Sequence, residues 1–341
     1  MNLKQLSEHL NLSQTTVSRA LNGYPEVSET TRQRVAEAAQ RMNYSPNARA
    51  RGLATGRALA IGHVIPVSSK HEMVNPIFGD YVSGAGETYS KAGYDMVLTL
   101  VDDATEAETY RTIKSRGNVD GIIVHGPKID DPRIPLLLDL DLPFVVHGRS
   151  SRTTGDYAWV DINNRRAFER ATRYLLELRH TRIALLDGLE DMDFAYRRRI
   201  GYGNALAEAG IAPDPALMRS AEMTEVYGYR SAREMLAMAN PPTAFLVSSM
   251  ISALGVQRAL VDAGLKMGRD ISVITHDDDL SYLKNGLDVP IFTATRSSVR
   301  EAGVRSAQLL LDIIHQRASA RTQLLEAELI IGTSTGPAPK D

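Results

Sequence analysis

The chain has 341 residues, more than one ordinary domain of roughly 100–200 residues would hold. Its 43% hydrophobic and 23% charged residues match soluble globular proteins, which excludes broad disorder. With no cysteine at all, disulfides, thiolate zinc sites and cysteine nucleophiles are excluded together. No run reaches the ~18–20 apolar residues of a membrane span, and the first residues lead into a polar stretch instead of a secretory signal, so the expected location is the cytoplasm. The net charge of −2 hides an asymmetry, because residues 1–58 carry eight basic and four acidic side chains, net +4, and leave −6 on the rest. A basic N-terminal segment on an acidic body is the footprint of a small domain that meets a polyanion.

In chain order, Leu3, Leu6 and Leu10 recur at i, i+3 and i+7 and predict a helix over 3–10. Ser13 then stands where its hydroxyl can cap a second helix over Gln14–Leu21. Val17, Ala20 and Leu21 share its inner face, leaving Gln14, Thr15, Ser18 and Arg19 outside. Asn22-Gly23 closes it, and Ser28 caps a third helix, Glu29–Met42, whose Val35, Ala38, Ala39 and Met42 complete a three-helix core. This is a helix-turn-helix pattern. A bare packing module would not need the surplus of positive charge.

From residue 60, short apolar runs alternate with amphipathic stretches. The predicted strands are Ala60–Val67, Asp95–Leu100, Gly121–Val124, Phe144–Val146, Arg182–Leu186, Ala244–Val247, Ile271–Thr275 and Phe292–Ala294. Helix-length segments such as Phe78–Ala92, Arg165–Leu178, Tyr196–Ala209, Tyr227–Ala239 and Ser252–Ala263 separate them. The fold class is therefore α/β: an all-α headpiece, then βα units repeated in two doubly wound lobes of parallel sheet with a ligand cleft between them. Thr333–Asp341, with Gly336, Pro337 and Pro339, reads as a loose tail without the leucine heptads of a tetramerising coiled coil.

The segments TTVSRALNG, VSETTRQRV and NYSPNARARGL resemble the headpiece of the lactose/galactose-repressor (LacI/GalR) family of bacterial transcription regulators. The resemblance implies a headpiece over 1–44, a hinge helix and linker over 45–58, a two-lobed, periplasmic-binding-protein-like ligand-binding and dimerisation domain over 59–335, and a tail over 336–341. It also implies that Gln14, Thr15 and Arg19 read the major groove. Their chemistry agrees, since Arg pairs with guanine and Gln with adenine through two hydrogen bonds. Ser13, Thr16, Ser18 and Asn22 suit phosphates, which position without specifying. In the hinge, Asn47, Ala50, Arg51 and Leu53 are the candidate DNA contacts, Leu53 as a wedge between base pairs of the minor groove. Gly52 weakens the helix beside that wedge.

Over the body the resemblance rests on Asn75-Pro76-Ile77-Phe78, Asp120-Gly121-Ile122-Ile123, Arg198 before Gly201-Tyr202, Pro242-Thr243-Ala244, Ala253-Leu254-Gly255 and Asp277-Asp278. Ligands of open α/β sheets sit beyond the carboxyl ends of strands, and these marks fall there. The candidate effector contacts are Asn75, Phe78, His125 and Arg149 from the first lobe, and Arg198, Ser249 and Asp277 from the second. Arg198 and Asp277 are implied to grip ligand hydroxyls, whereas Asp278 reads as the cap of a following helix. Ser249-Met250 and Asn163-Asn164 depart from the family pattern and imply a different hydroxyl arrangement. The His147-Gly148-Arg149 and Ser248-Ser249-Met250 features look most like regulators of α-glucoside use.

His276-Asp277-Asp278-Asp279 cannot converge on a metal from one extended run, and neither a phosphate loop nor a nucleophile elbow is present. The expectation is a homodimeric transcription regulator, a repressor of carbohydrate-utilisation genes, that binds a pseudo-palindromic double-stranded operator under control of a small sugar. It needs no catalytic residue, metal, cofactor or membrane. The competing reading is a cytoplasmic sugar-binding or sugar-converting protein with a vestigial headpiece.

Overall fold

In the first element, α1 (Leu3–Leu10), Asn2 and Gln5 cap each other reciprocally, and the helix ends at Asn11 in the left-handed conformation (φ 55°). Helices α2 (Gln14–Leu21) and α3 (Glu29–Arg41) follow. Ser28 caps α3 by accepting from the Thr31 amide, and Met42 is its C-cap, one residue short of the expected end. Leu6, Leu10, Val17, Ala20, Val27, Val35, Ala38 and Ala39 form the headpiece core. The computed structural model describes residues 2–21, 23–44, 56–66, 75–318 and 321–339.

The body has two six-stranded sheets. The first lobe contains β1 (Ala60–Pro66), α4 (Pro76–Lys91), β2 (Asp95–Val101), α5 (Glu106–Arg116), β3 (Gly121–His125), α6 (Arg133–Asp139), β4 (Phe144–His147) and β5 (Ala158–Ile162). The second contains α7 (Asn164–Glu177), β6 (Ile183–Asp187), α8 (Asp193–Glu208), β7 (Met218–Ser220), α9 (Glu225–Leu236), β8 (Ala244–Val247), α10 (Met250–Asp262), β9 (Ser272–Asp277) and β10 (Thr293–Arg296). Central strands such as β3, β6, β8 and β9 are buried along their whole length, which is why β8 and all but the ends of β3 and β6 read as apolar runs. Helices α5, α6 and α11 (Val299–Ile314) and strands β5, β7, β11 (Thr322–Leu325) and β12 (Glu328–Ile330) were not among the segments singled out from the sequence.

The two lobes are not consecutive halves of the chain. After β10 the chain returns to the first lobe, where α11 (Val299–Ile314) packs Val299, Ala302, Leu310 and Leu311 into the core and β11 (Thr322–Leu325) pairs parallel with β5. It then crosses again to lay β12 (Glu328–Ile330) antiparallel to β10. The resulting orders are β11-β5-β4-β3-β1-β2 and β12-β10-β9-β8-β6-β7.

The expectation of a loose tail is corrected at Gly336–Ala338. The Gly336 carbonyl lies 3.0 Å from both His180 Nε2 and Ser272 Oγ, and the Ala338 amide donates to Leu178 at 2.8 Å. Glycine and proline content describes local stiffness, whereas docking depends on donors that the C-terminal lobe holds ready.

Candidate functional site

On α2, the Ser13 hydroxyl accepts from the Thr16 amide at 3.0 Å and contacts the Thr16 hydroxyl at 2.8 Å. That cap fixes where the helix begins, and burial of Val17 and Ala20 fixes its rotation. Gln14, Thr15 and Arg19 are thereby left exposed on one outer face, with Thr16 and Ser18 half-buried beside them. Side chains able to form paired hydrogen bonds with base edges thus stand together on a helix narrow enough for a major groove. The expected contacts Asn22, Asn47, Ala50, Arg51 and Leu53 lie outside the described residues.

Between the lobes, Arg198 on α8 is fully desolvated. Its Nε donates to Asn164 Oδ1 at 2.8 Å and its Nη1 to the Ser248 carbonyl at 2.7 Å, while the guanidinium lies 4.9 Å from the ring centres of both Phe168 and Phe194. Three carboxylates act on it: Asp187 at the end of β6, Asp278 just after β9, and Asp161 on β5 of the other lobe. Burial pushes the Asp187 and Asp161 carboxyls up to about 6 and Asp278 to about 7, against the pull of the nearby arginines. The Ser248 hydroxyl donates to Asp187 Oδ1 at 2.6 Å, whereas Asp187 Oδ2 is buried with no hydrogen-bond partner. Arg149 meets Asp161 at 2.8 Å and lies over Trp159, 5.0 Å from its ring centre.

The expected residues fall into different positions. Arg198 and Arg149 stand at the centre. Asp277 does not join them: its carboxylate turns to accept from the Asp279 amide at 2.9 Å. Neighbouring strand residues point to opposite faces, so His276 and Asp278 share the Arg198 side and Asp277 takes the other. Asp278 therefore stands in the cluster, and an irregular segment follows it where a helix was expected. Ser249 caps α10 by accepting from the Ser252 amide, and Asn75 caps α4 by accepting from the Ile77 amide at 3.1 Å. Phe78 packs edge-on against His125, whose Nε2 lies 2.9 Å from His63 Nδ1. Burial, then the neighbouring histidines, holds His125 neutral by driving its pKa well below the usual histidine value.

Asp161, Asp187, Asn164 and Asp193 were missed as site residues. The signal was present: AWVDI and IALLD are apolar runs that carry a carboxylate near the carboxyl end, where ligands of such sheets gather.

The lobes also clasp each other directly. Ile129 and Asp193 of the facing loops donate their amides to the carbonyls of Asp191 and Pro127 at 2.9 and 3.0 Å, and Ser151 donates to Asp193 Oδ1 at 2.7 Å. A Lys128–Asp191 ion pair at 3.1 Å adds to this. On the other side, Asp80 of α4 accepts from the amide and hydroxyl of Ser281 at 2.7 and 2.6 Å.

Comparison with known proteins agrees with both parts. Residues 3–47 match the bacterial regulatory proteins of the lacI family, and residues 172–335 match the periplasmic binding protein-like domain. The HTH-type transcriptional regulator AglR of Rhizobium meliloti (strain 1021) is 47% identical over 99% of this chain and 95% of its own length. The structure of the transcriptional regulator CelR in complex with cellobiose superposes with a TM-score of 0.72 at 27% identity, over 98% of this chain and 99% of that one. That of the lac repressor dimer bound to operator and the anti-inducer ONPF superposes with a TM-score of 0.84 at 25% identity, again over 98% and 99%. With a three-helix headpiece that exposes a polar face of α2 and a body of two interlaced parallel-sheet lobes, the chain belongs to the lacI family of DNA-binding transcription regulators.

Proposed function

We propose that the protein is a cytoplasmic, homodimeric repressor of carbohydrate-utilisation genes, released from a pseudo-palindromic operator by a sugar of the α-glucoside class. The observation that carries the reading is the pairing of an exposed Gln14/Thr15/Arg19 face with a buried arginine–carboxylate cluster between two lobes. Bidentate charged groups beside aromatic rings suit a ligand with polar edges and an apolar face. The complex of CelR with cellobiose supports a sugar in the cleft, and the operator-bound lac repressor dimer supports two headpieces on two half-sites. Exposed Tyr282, Leu287 and Val289 provide an apolar strip for a second copy to cover. Among the described residues no helix is long and apolar enough to cross a membrane.

In this reading 1–44 is the headpiece, 45–58 the hinge and 59–335 the effector-binding and dimerisation unit. Ligand changes operator affinity only through its different affinity for the two lobe arrangements, and the hinge transmits that change. The test is a titration of purified protein onto its own upstream intergenic DNA at fixed salt, repeated with mono- and disaccharides. Specific binding that one α-glucoside weakens is the expected outcome. Strengthening by the sugar would reverse the regulatory logic. Absence of specific binding with turnover of a sugar would favour a sugar-converting protein with a vestigial headpiece.

A further inference from the structure

The buried cluster balances its guanidiniums with carboxylates, and those guanidiniums are already engaged. Arg149 is held by Asp161, Arg197 by Asp193, and Arg198 by Asn164, the Ser248 carbonyl and the surrounding carboxylates. Arg199 turns away to the Glu190 carbonyl and Ser220. His276 adds no positive charge, since burial and then Arg198 drive its pKa well below the usual value. The spare capacity is on the acceptor side: Asp187 is fully buried, accepts from Ser248 and Gly188 through Oδ1, and leaves Oδ2 without a donor. Buried polar atoms in native proteins are nearly always paired, so an orphan beside a ligand cleft is accounted for by a donor that arrives with the ligand.

We infer that the cleft selects an uncharged polyhydroxyl ligand and rejects phosphorylated or carboxylated sugars, with Asp187 as the specificity-determining residue that accepts a ligand hydroxyl. The inference rests on the reading that a sugar occupies the cleft. An anionic ligand would bring charge into a desolvated place with no unpaired cation to receive it, where like charges repel strongly. A neutral sugar brings hydroxyl donors to Asp187 Oδ2, which has none.

The full-length protein reports on this site by itself, because its single tryptophan, Trp159, lies beneath Arg149. Trp159 fluorescence and calorimetry would be followed with sucrose, maltose and trehalose against trehalose 6-phosphate and glucuronate. At least one neutral disaccharide binds, and both anions bind at least about tenfold more weakly. Asp187→Asn, which keeps the shape and removes the charge, weakens the neutral sugar about ten- to hundredfold, the range for a lost hydrogen bond to a charged group. It also narrows the ratio between neutral and anionic ligands. Preference of the wild-type protein for either anion overturns the inference while leaving a sugar in the cleft, and this arm does not depend on how the variant folds. A folded Asp187→Asn protein with unchanged affinities also overturns it, and binding of none of the five compounds overturns the sugar reading with it.

Discussion

Arg19 and Asp278 show how single side chains divide the work of this molecule. Arg19 is exposed on a helix whose start and rotation are set by Ser13, Val17 and Ala20. Arg19→Ala is expected to cost about 1–3 kcal/mol on the operator and to relax base preference at one position, while binding to unrelated DNA changes little. Competition binding at one stated salt concentration checks this, and an equal loss on all sequences would make Arg19 a phosphate contact. Asp278 is desolvated and shares its side with Arg198 and His276, and burial, with the nearby charge of Asp277, raises its carboxyl to about 7 against the pull of Arg198. The folded protein therefore holds a proton between pH ~4 and 7 that the unfolded chain has released, so this group's contribution to stability falls as pH rises through that window. Asp278→Asn should gain stability relative to wild type from pH 5 to 8, read as the difference between the two melting curves. The buried His63 and His147, lowered by burial to about 3 and about 4, act in the opposite sense. Their contribution is complete above pH ~6.5 and is lost on acidification, which is why the difference between proteins is the quantity to measure.

At the scale of elements, the lobes depend on helix pairs that touch backbone to backbone. A Cβ at Gly228 of α9 would lie 2.0 Å from the Ser252 carbonyl of α10, and one at Gly255 of α10 would lie 2.0 Å from the Glu225 carbonyl of α9. The same arrangement joins Gly84 of α4 to Arg300 and Gly303 of α11 to Tyr81. No rotamer change relieves a clash with backbone, so the helices themselves would have to separate. Gly228→Ala should destabilise the body by about 1–3 kcal/mol or more through overpacking, seen as a lower midpoint in thermal unfolding. The α4–α11 contact has a further consequence, since α11 completes the first lobe from a part of the chain that follows most of the second. A periodic pattern announces an amphipathic helix but carries no address for the sheet that will receive it.

For the whole molecule, the decisive contacts are those between lobes. Asp193 joins the Ser151 amide of one lobe to Arg197 of the other, beside the backbone bonds of the 127–129 and 191–193 loops. Asp193→Asn weakens this clasp and should favour separated lobes, giving a larger radius of gyration by small-angle X-ray scattering without ligand. An unchanged radius would leave the closing force with the backbone bonds of the facing loops, the Lys128–Asp191 pair and the Asp80–Ser281 contact.

The headpiece was legible from sequence nearly to the residue, because its helices are set by neighbours three and four positions apart and by caps two or three positions away. The α/β class and most central strands were legible for a related reason: strands buried on both faces are apolar over most of their length. Position in sequence also singled out Arg198 and Arg149, which lie in the interlobe cluster. Tertiary structure alone decided that Asp278 and not Asp277 faces Arg198, that Asp161 and Asp187 converge on it from different lobes, and that Gly336 docks against His180. Each of these depends on partners far apart in the chain, and local periodicity contains no information about which distant donor a buried acceptor will meet.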